Sequence, residues 1–298
     1  MERMINFKNI SDYNKFNNHP TLHPLVSILD LSKADLRQYH KMNFGIYCVI
    51  LKDVKCGDLK YGKNYYDYQE GTLVFFSPGQ VVGVESYEEF YQPKGQVLIF
   101  HPDLIHNTPL GKHINDYSFF SYNTSEALHL SEKERQIVLD CFSKIEYELQ
   151  QSIDKHSKTL IASNIELFLN YCTRFYDRQF IIRDNLNKGT LEKFEELLNN
   201  YFSSEKPYTL GLPSVAYSAD ELNLSPNYFG DLIKKETGKS AQEYIQNKII
   251  DIAKSKIFEN DKTISEIAYE LGFKYPQHFS RLFKNRVGYT PQEYRNLN

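Results

Sequence analysis

The sequence predicts an α+β chain of two domains. An N-terminal antiparallel β-barrel is followed by a helical hairpin, and a C-terminal all-α domain holds two helix-turn-helix units joined by a long helix. Three observations predict it. Up to residue 130 the apolar residues come in short runs, several with period two, bounded by Gly, Pro and Asp, which is the punctuation of strands and turns. From residue 131 onward they recur at three- and four-residue spacing, which is helical. The C-terminal part of the chain contains one pattern twice. These patterns divide the chain into 1–130 for the barrel, 131–189 for a helical dimerisation and linker region, and 190–298 for the double helix-turn-helix domain.

In the first part, strands are expected at Phe44 to Leu51, Thr72 to Phe76, Gln96 to Phe100 and Tyr117 to Tyr122. Turns fall at Cys56-Gly57-Asp58, Ser77-Pro78-Gly79 and Pro93-Lys94-Gly95. Ser131 and Glu134 form a capping box. Behind it Ile137, Val138, Cys141, Phe142, Ile145 and Leu149 make one apolar stripe. After a polar break at Ser152 to Ser157 a second stripe follows: Leu160, Ile161, Ile165, Phe168, Leu169, Cys172 and Phe175. Two such helices suit dimerisation, or packing on their own barrel. Arg178 to Gly189 is polar and reads as a hinge. Thr190 to Phe202 reads as a short amphipathic helix, and Ser203 to Leu212, with Pro207, as a linker.

The last stretch, Thr263 to Tyr294, reads as helix, turn, helix, turn, short helix. Thr263 and Glu266 box the first helix, whose apolar face is Ile264, Ile267, Ala268 and Leu271. Gly272 stands where it must stop. The second helix starts near Pro276 and buries Phe279, Leu282 and Phe283. Gln277, Ser280, Arg281 and Lys284 share its outer strip. Earlier, Ala219, Leu222 and Leu224 match Ala268, Leu271 and Phe273 at an offset of 49. Phe229, Leu232, Ile233, Lys234, Gly238, Ser240, Glu243 and Tyr244 match their counterparts at an offset of 50, so the second turn carries one extra residue. Ser225 caps the first unit's second helix, whose outer strip is Asn227, Gly230, Asp231 and Lys234. Ser240 to about Phe258 is the connecting helix. Two outer strips held by one rigid helix can enter successive major grooves on one face of DNA. Gln suits adenine edges, Arg guanine edges and Lys phosphates.

The strings LSPNYFGDLIKKETGKSAQEYI and TISEIAYELGFKYPQHFSRLFKNRVGYTPQEYR resemble the double helix-turn-helix domain of the AraC/XylS-type bacterial transcription regulators, over about Pro213 to Arg295. The resemblance implies a sequence-specific promoter-binding protein, an activator that works with RNA polymerase and as a homodimer. It assigns base reading to Asn227, Gly230 and Asp231 in the first unit and to Gln277, Ser280 and Arg281 in the second. Lys234, Lys235, Lys284 and Arg286 are expected on phosphates. Ser225, Tyr228, Lys274 and His278 complete the candidate DNA-binding set. Gly230 has no side chain and Asp231 is anionic, so the first unit reads less directly, although Asp can accept from a cytosine amino group. The string EGTLVFFSPGQ resembles the cupin-like sensor domains of the same regulators, which implies a small-molecule effector. Tyr47, Tyr61, Tyr66, Tyr68, Phe76 and His101 are the candidate ligand-binding residues; the alternative is that these aromatics are core and rim.

The composition agrees. The chain has 298 residues, 41% of them hydrophobic, enough for two globular cores. No apolar run reaches the roughly 18 residues of a membrane span, and the first residues lack a signal peptide's apolar core. Cys48, Cys56, Cys141 and Cys172 show no paired spacing, as expected of reduced cytoplasmic thiols. Net charge is −3, but Lys274, Arg281, Lys284, Arg286 and Arg295 face only Glu293 over the last stretch, a local basic field fit for phosphates. The competing function is a metal-dependent cupin-type enzyme with an appended DNA-binding domain. His19, His23, His101 and His106 do not have the spacing of a ligand set, and no nucleophile triad or phosphate loop is visible. No catalytic residue, metal or cofactor is expected.

Overall fold

A computed structural model describes residues 4–36, 41–52, 71–82, 90–123, 126–182, 184–258 and 262–296, with backbone alone for 181, 182 and 184–188. The expected turn at Cys56-Gly57-Asp58 lies outside them. The chain is mixed α+β and divides into two compact units, Met1–Ile181 and Ile182–Asn298.

In the first unit the strands are β1 (Ile5–Phe7), β2 (Val26–Asp30), β3 (Met42–Phe44), β4 (Tyr47–Lys52), β5 (Thr72–Phe76), β6 (Val81–Val82), β7 (Gln96–Phe100) and β8 (Leu128–His129). The helices are α1 (Ile10–Phe16), α2 (Pro102–Ile105), α3 (Pro109–His113), α4 (Glu132–Leu149) and α5 (Ser157–Ile182). Among the described residues the strands form two sheets rather than a closed antiparallel barrel. One runs β1-β3-β6 and the other β2-β7-β4-β5-β8. The β1–β3 pair is parallel, which needs a crossover; α1 and β2 supply it.

The apolar runs LVFF and VLIF do not alternate because the larger sheet is buried on both faces. Val74, Phe76, Val97 and Ile99 join Phe7, Ile10, Phe44 and Ile46 in one core. The intervening Leu73, Phe75, Leu98 and Phe100 are buried too. Phe75 meets Phe119 at 4.5 Å and Tyr176 of α5 at 6.3 Å. The expected strand Tyr117–Tyr122 is instead a 3-10 turn, Ser118–Ser121, preceded by another at Ile114–Asp116. Its Phe119 and Phe120 plug the face of β5 rather than pairing along it.

The box of Ser131 and Glu134 starts α4 as expected. The expected hinge, Arg178 to Gly189, begins in helix, and the division between the two units falls within it, at Ile181 and Ile182. Its first residues are the last turns of α5, and they cover the sheet edge at β8. Gln179 accepts from the His129 N–H at 2.8 Å and donates to the Ala127 carbonyl at 3.2 Å. Arg178 donates to Glu134 at 2.8 Å and to the His129 carbonyl. An uncovered edge would leave those backbone groups unpaired.

In the second unit α6 spans Asp184–Phe202, longer than the helix expected from Thr190. The expected linker holds a short helix, α7 (Lys206–Leu210). Then come α8 (Val215–Glu221), α9 (Pro226–Thr237), α10 (Ala241–Lys256), α11 (Ile264–Glu270), α12 (Pro276–Val287) and α13 (Pro291–Arg295). Phe194 of α6 is fully buried, edge-on to Phe229 of α9 at 4.9 Å and 5.4 Å from Tyr244 of α10. This aromatic trio makes α6 part of the helical core. No helix among the described residues is long and apolar enough to cross a membrane.

Candidate nucleic-acid interface

The two units repeat in three dimensions as their sequences do. α8 and α11 are seven residues each, α9 and α12 twelve each. Ser214 and Thr263 cap the first helices. Gly238 and Gly288 end the second helices in the left-handed conformation, which a Cβ disfavours. The turns correspond as well. Asn223 takes φ 57° and Gly272 φ 93°, so Asn223 does in the first turn what glycine does in the second. The Leu224 N–H bonds the Ala219 carbonyl at 2.9 Å, and Phe273 bonds Ala268 at 3.0 Å. The inserted residue therefore comes after the turn, before Tyr275, whose side chain makes no cap.

The connecting helix α10 is boxed by Ser240 and Glu243, and α13 by Thr290 and Glu293. Hydrogen bonds from Ser240 hold the Glu243 carboxyl below its ordinary range. The Thr290 backbone and hydroxyl do the same for Glu293, and those of Thr263 for Glu266. At the far end of α10, Glu270 accepts from Lys256 at 2.9 Å and from Lys262. Arg295 donates to the Ile257 carbonyl at 2.6 Å. The C-terminal end of the connecting helix is thus tied to the second unit, which fixes the spacing of the two strips.

On α12, Gln277, His278, Arg281, Lys284, Asn285 and Arg286 are exposed and Ser280 is half-buried, while Phe279 and Phe283 are buried. Lys274 is exposed just before the helix. Asn285, which is not among the residues expected from the sequence, lies on the same outer face. Its four-residue spacing from Arg281 is the signal that points to it.

On α9, Asn227, Lys234 and Lys235 are exposed and Gly230 and Asp231 half-buried. Two candidates are buried. Ser225, 4% exposed, spends its hydroxyl on the Tyr228 N–H at 3.3 Å. Tyr228, 3% exposed, packs inward, whereas its counterpart His278 points out. An aromatic ring with room in the core is buried; an imidazole at the same position gains less from it.

The candidate ligand residues are placed differently. Tyr47 stacks on Phe100 at 4.8 Å and meets Phe120 edge-on at 5.1 Å; partial burial raises its pKa. Phe76 is buried against Phe44, 5.3 Å away. His101 caps α2 by accepting from the Asp103 N–H at 3.2 Å. Tyr61, Tyr66 and Tyr68 lie outside the described residues. Among the described residues no three His, Cys, Asp or Glu side chains stand close enough to hold a metal. Cys48, Cys141 and Cys172 are buried, and burial pushes each thiol up.

Two in-register helix-turn-helix units on a common connecting helix define a DNA-binding domain. Residues 218–297 match the helix-turn-helix domain family, and the C-terminal unit carries a helix-turn-helix domain of the AraC type. The chain is 40% identical over 108 residues, 36% of its length, to the uncharacterized HTH-type transcriptional regulator YtdP of Bacillus subtilis. It is 26% identical over 232 residues to the probable transcriptional regulator LumQ of Photobacterium leiognathi, covering 76% of this chain and 82% of LumQ. The C-terminal domain of the response regulator yesN from Fusobacterium nucleatum superposes with a TM-score of 0.32 at 23% identity, covering 36% of this chain and 98% of that one. The chain spans only 13% to 54% of the length of three Bacillus subtilis relatives.

Proposed function

We propose that the protein is a sequence-specific DNA-binding transcription regulator acting at a promoter. The observation that carries it is the pair of repeated helices, α9 and α12, each with one face open to solvent and each packed on α10. Gln277, Ser280 and Arg281 read bases in one major groove. Asn227, with Gly230 and Asp231, meets the neighbouring groove. Lys234, Lys235, Lys274, Lys284 and Arg286 take phosphates, and His278 lies beside the reading residues.

The rest of the proposal concerns the whole chain. A small-molecule effector binds the N-terminal unit and changes how two DNA-binding halves of a homodimer are presented. Leu160 and Leu167, exposed one above the other on α5, support self-association through that helix. The regulator activates transcription with RNA polymerase and works in the cytoplasm.

Binding to fragments tiled across the gene's upstream region, at two salt concentrations, tests the reading. Tight binding to one fragment, weakened by salt, supports it. Equal weak binding to every fragment, or none, counts against it.

A further inference from the structure

Between α10 and α12 lies an open hollow of about 450 Å³, lined by Gln246, His278, Arg281, Leu282, Asn285 and Arg286. Its chemistry is one-sided. Arg281 and Arg286 are permanent cations, and among the described residues no carboxylate lines it. An anion that does influence Arg286 is Glu243, one of whose oxygens, Oε2, accepts from the Ser240 N–H and hydroxyl at 3.0 and 2.8 Å. Arg286 Nη2 donates to Gln246 Oε1 at 2.8 Å. That bond occupies the amide's acceptor and leaves its NH₂ as a donor, while Arg286 keeps its remaining N–H groups. The hollow therefore presents fixed donors around two positive charges, which is what an anion binds.

Its place on the helix says which anion. From Gln277 to Arg286 α12 rises about 13 Å, and the major groove is about 12 Å wide. With Gln277 and Arg281 at base edges, Arg286 emerges at the groove's rim, where the sugar-phosphate chain runs. Gln246 belongs to the connecting helix, which stays outside the groove, so the bond it accepts holds Arg286 on the backbone side rather than toward a base edge.

We infer that this hollow is a phosphate clamp in which Gln246, a positioning residue on α10, aims the Arg286 guanidinium at one DNA backbone phosphate, with Asn285 as a further donor. The clamp rests on the DNA-binding reading above. It gives the connecting helix a part in binding that no outer-strip residue supplies. It also separates the hollow's two arginines: Arg281 spans hollow and groove, whereas Arg286 serves the backbone alone.

The test uses the full chain and its tightest-binding fragment, with Arg286→Gln, Gln246→Ala and the double variant. Both side chains are at the surface, and thermal melts check that each variant folds. Arg286→Gln should weaken binding to all sequences alike and lower the slope of log K against log salt by about one. Gln246→Ala should weaken it less and add nothing in the Arg286→Gln background. A scan with single neutral methylphosphonates should find one position whose neutralisation weakens the wild type but not Arg286→Gln. Wild-type slopes in both variants, with DNA binding intact, would overturn the clamp and leave the regulator reading standing. Saturable stabilisation of the DNA-free protein by inorganic phosphate over chloride at equal ionic strength, lost in Arg286→Gln, would make the source a free phosphate and overturn the DNA assignment. No DNA binding by the wild type would overturn both readings together.

Discussion

Gly272 lies in the α11–α12 turn, and its replacement by alanine is a sharp test of how that turn is built. Two costs act there. Its φ of 93° is left-handed, which costs a residue with a Cβ about 1–2 kcal/mol. A Cβ would also sit 2.7 Å from the carbonyl carbon and oxygen of Gly211 and 3.0 Å from the Leu212 nitrogen. Those are backbone atoms, and Gly211 is held in turn by the Tyr201 hydroxyl, which donates to its carbonyl at 2.9 Å. Relieving such a contact costs about 1–3 kcal/mol. The sum for Gly272→Ala is roughly 2–5 kcal/mol. Gly288 provides the control. Its φ is 90°, and a Cβ there meets nothing within 4 Å, so Gly288→Ala should cost only the first part, about 1–2 kcal/mol. Urea unfolding of the full chain, followed by circular dichroism, measures both. Equal midpoints for the two variants would refute the close packing of the two glycine turns.

Other expectations are simpler. Gly230 sits inside α9, and a methyl group added there would meet nothing within 4 Å, so Gly230→Ala should stabilise the fold by about 0.5–1 kcal/mol, read as a higher urea midpoint. Thr290→Ala removes the α13 cap, whose hydroxyl accepts from the Glu293 N–H; it should cost about 1 kcal/mol in the same assay. Glu243, Glu266 and Glu293 all have carboxyls held below their ordinary value of 4.5 by cap hydrogen bonds. Depressed carboxylates contribute stability that is present above the unfolded pKa and lost as pH falls through the folded one. These three groups should therefore make the unfolding midpoint drop below about pH 5, with a shallower drop in Glu243→Gln. A midpoint that rises as pH falls toward 4 would contradict the sign.

How much is legible in the chain depends on where the determining interaction lies. The C-terminal boxes Ser240–Glu243, Thr263–Glu266 and Thr290–Glu293 are local, three residues apart, and all three form. The repeat then places the two outer strips. What escapes there is tertiary: Tyr228 turns inward where His278 turns out, and Asn223 replaces glycine in the first turn. The N-terminal unit is harder for the same reason. β2 is buried along nearly its whole length, so VSILD shows no alternation to read. Tyr117–Tyr122 is aromatic enough for a strand, yet its rings are spent on Phe75 and Tyr176. The box of Asn9 and Asp12 that starts α1 has the same three-residue spacing but not the Ser/Thr and Glu/Gln residues that mark the others. Within the hinge expected over Arg178 to Gly189, Arg178 and Gln179 are held by β8, a partner some fifty residues earlier, and the division between the two units comes after them, at Ile181 and Ile182.

The most direct test of the central claim is a base-pair scan. Every position of the tightest-binding fragment is substituted in turn, and affinity is measured for the wild type and Arg281→Ala. If α12 reads sequence, Arg281→Ala should lose about 1–3 kcal/mol of discrimination at one guanine-bearing position and keep its preferences elsewhere. A uniform loss at all positions, or unchanged preferences throughout, would contradict the account.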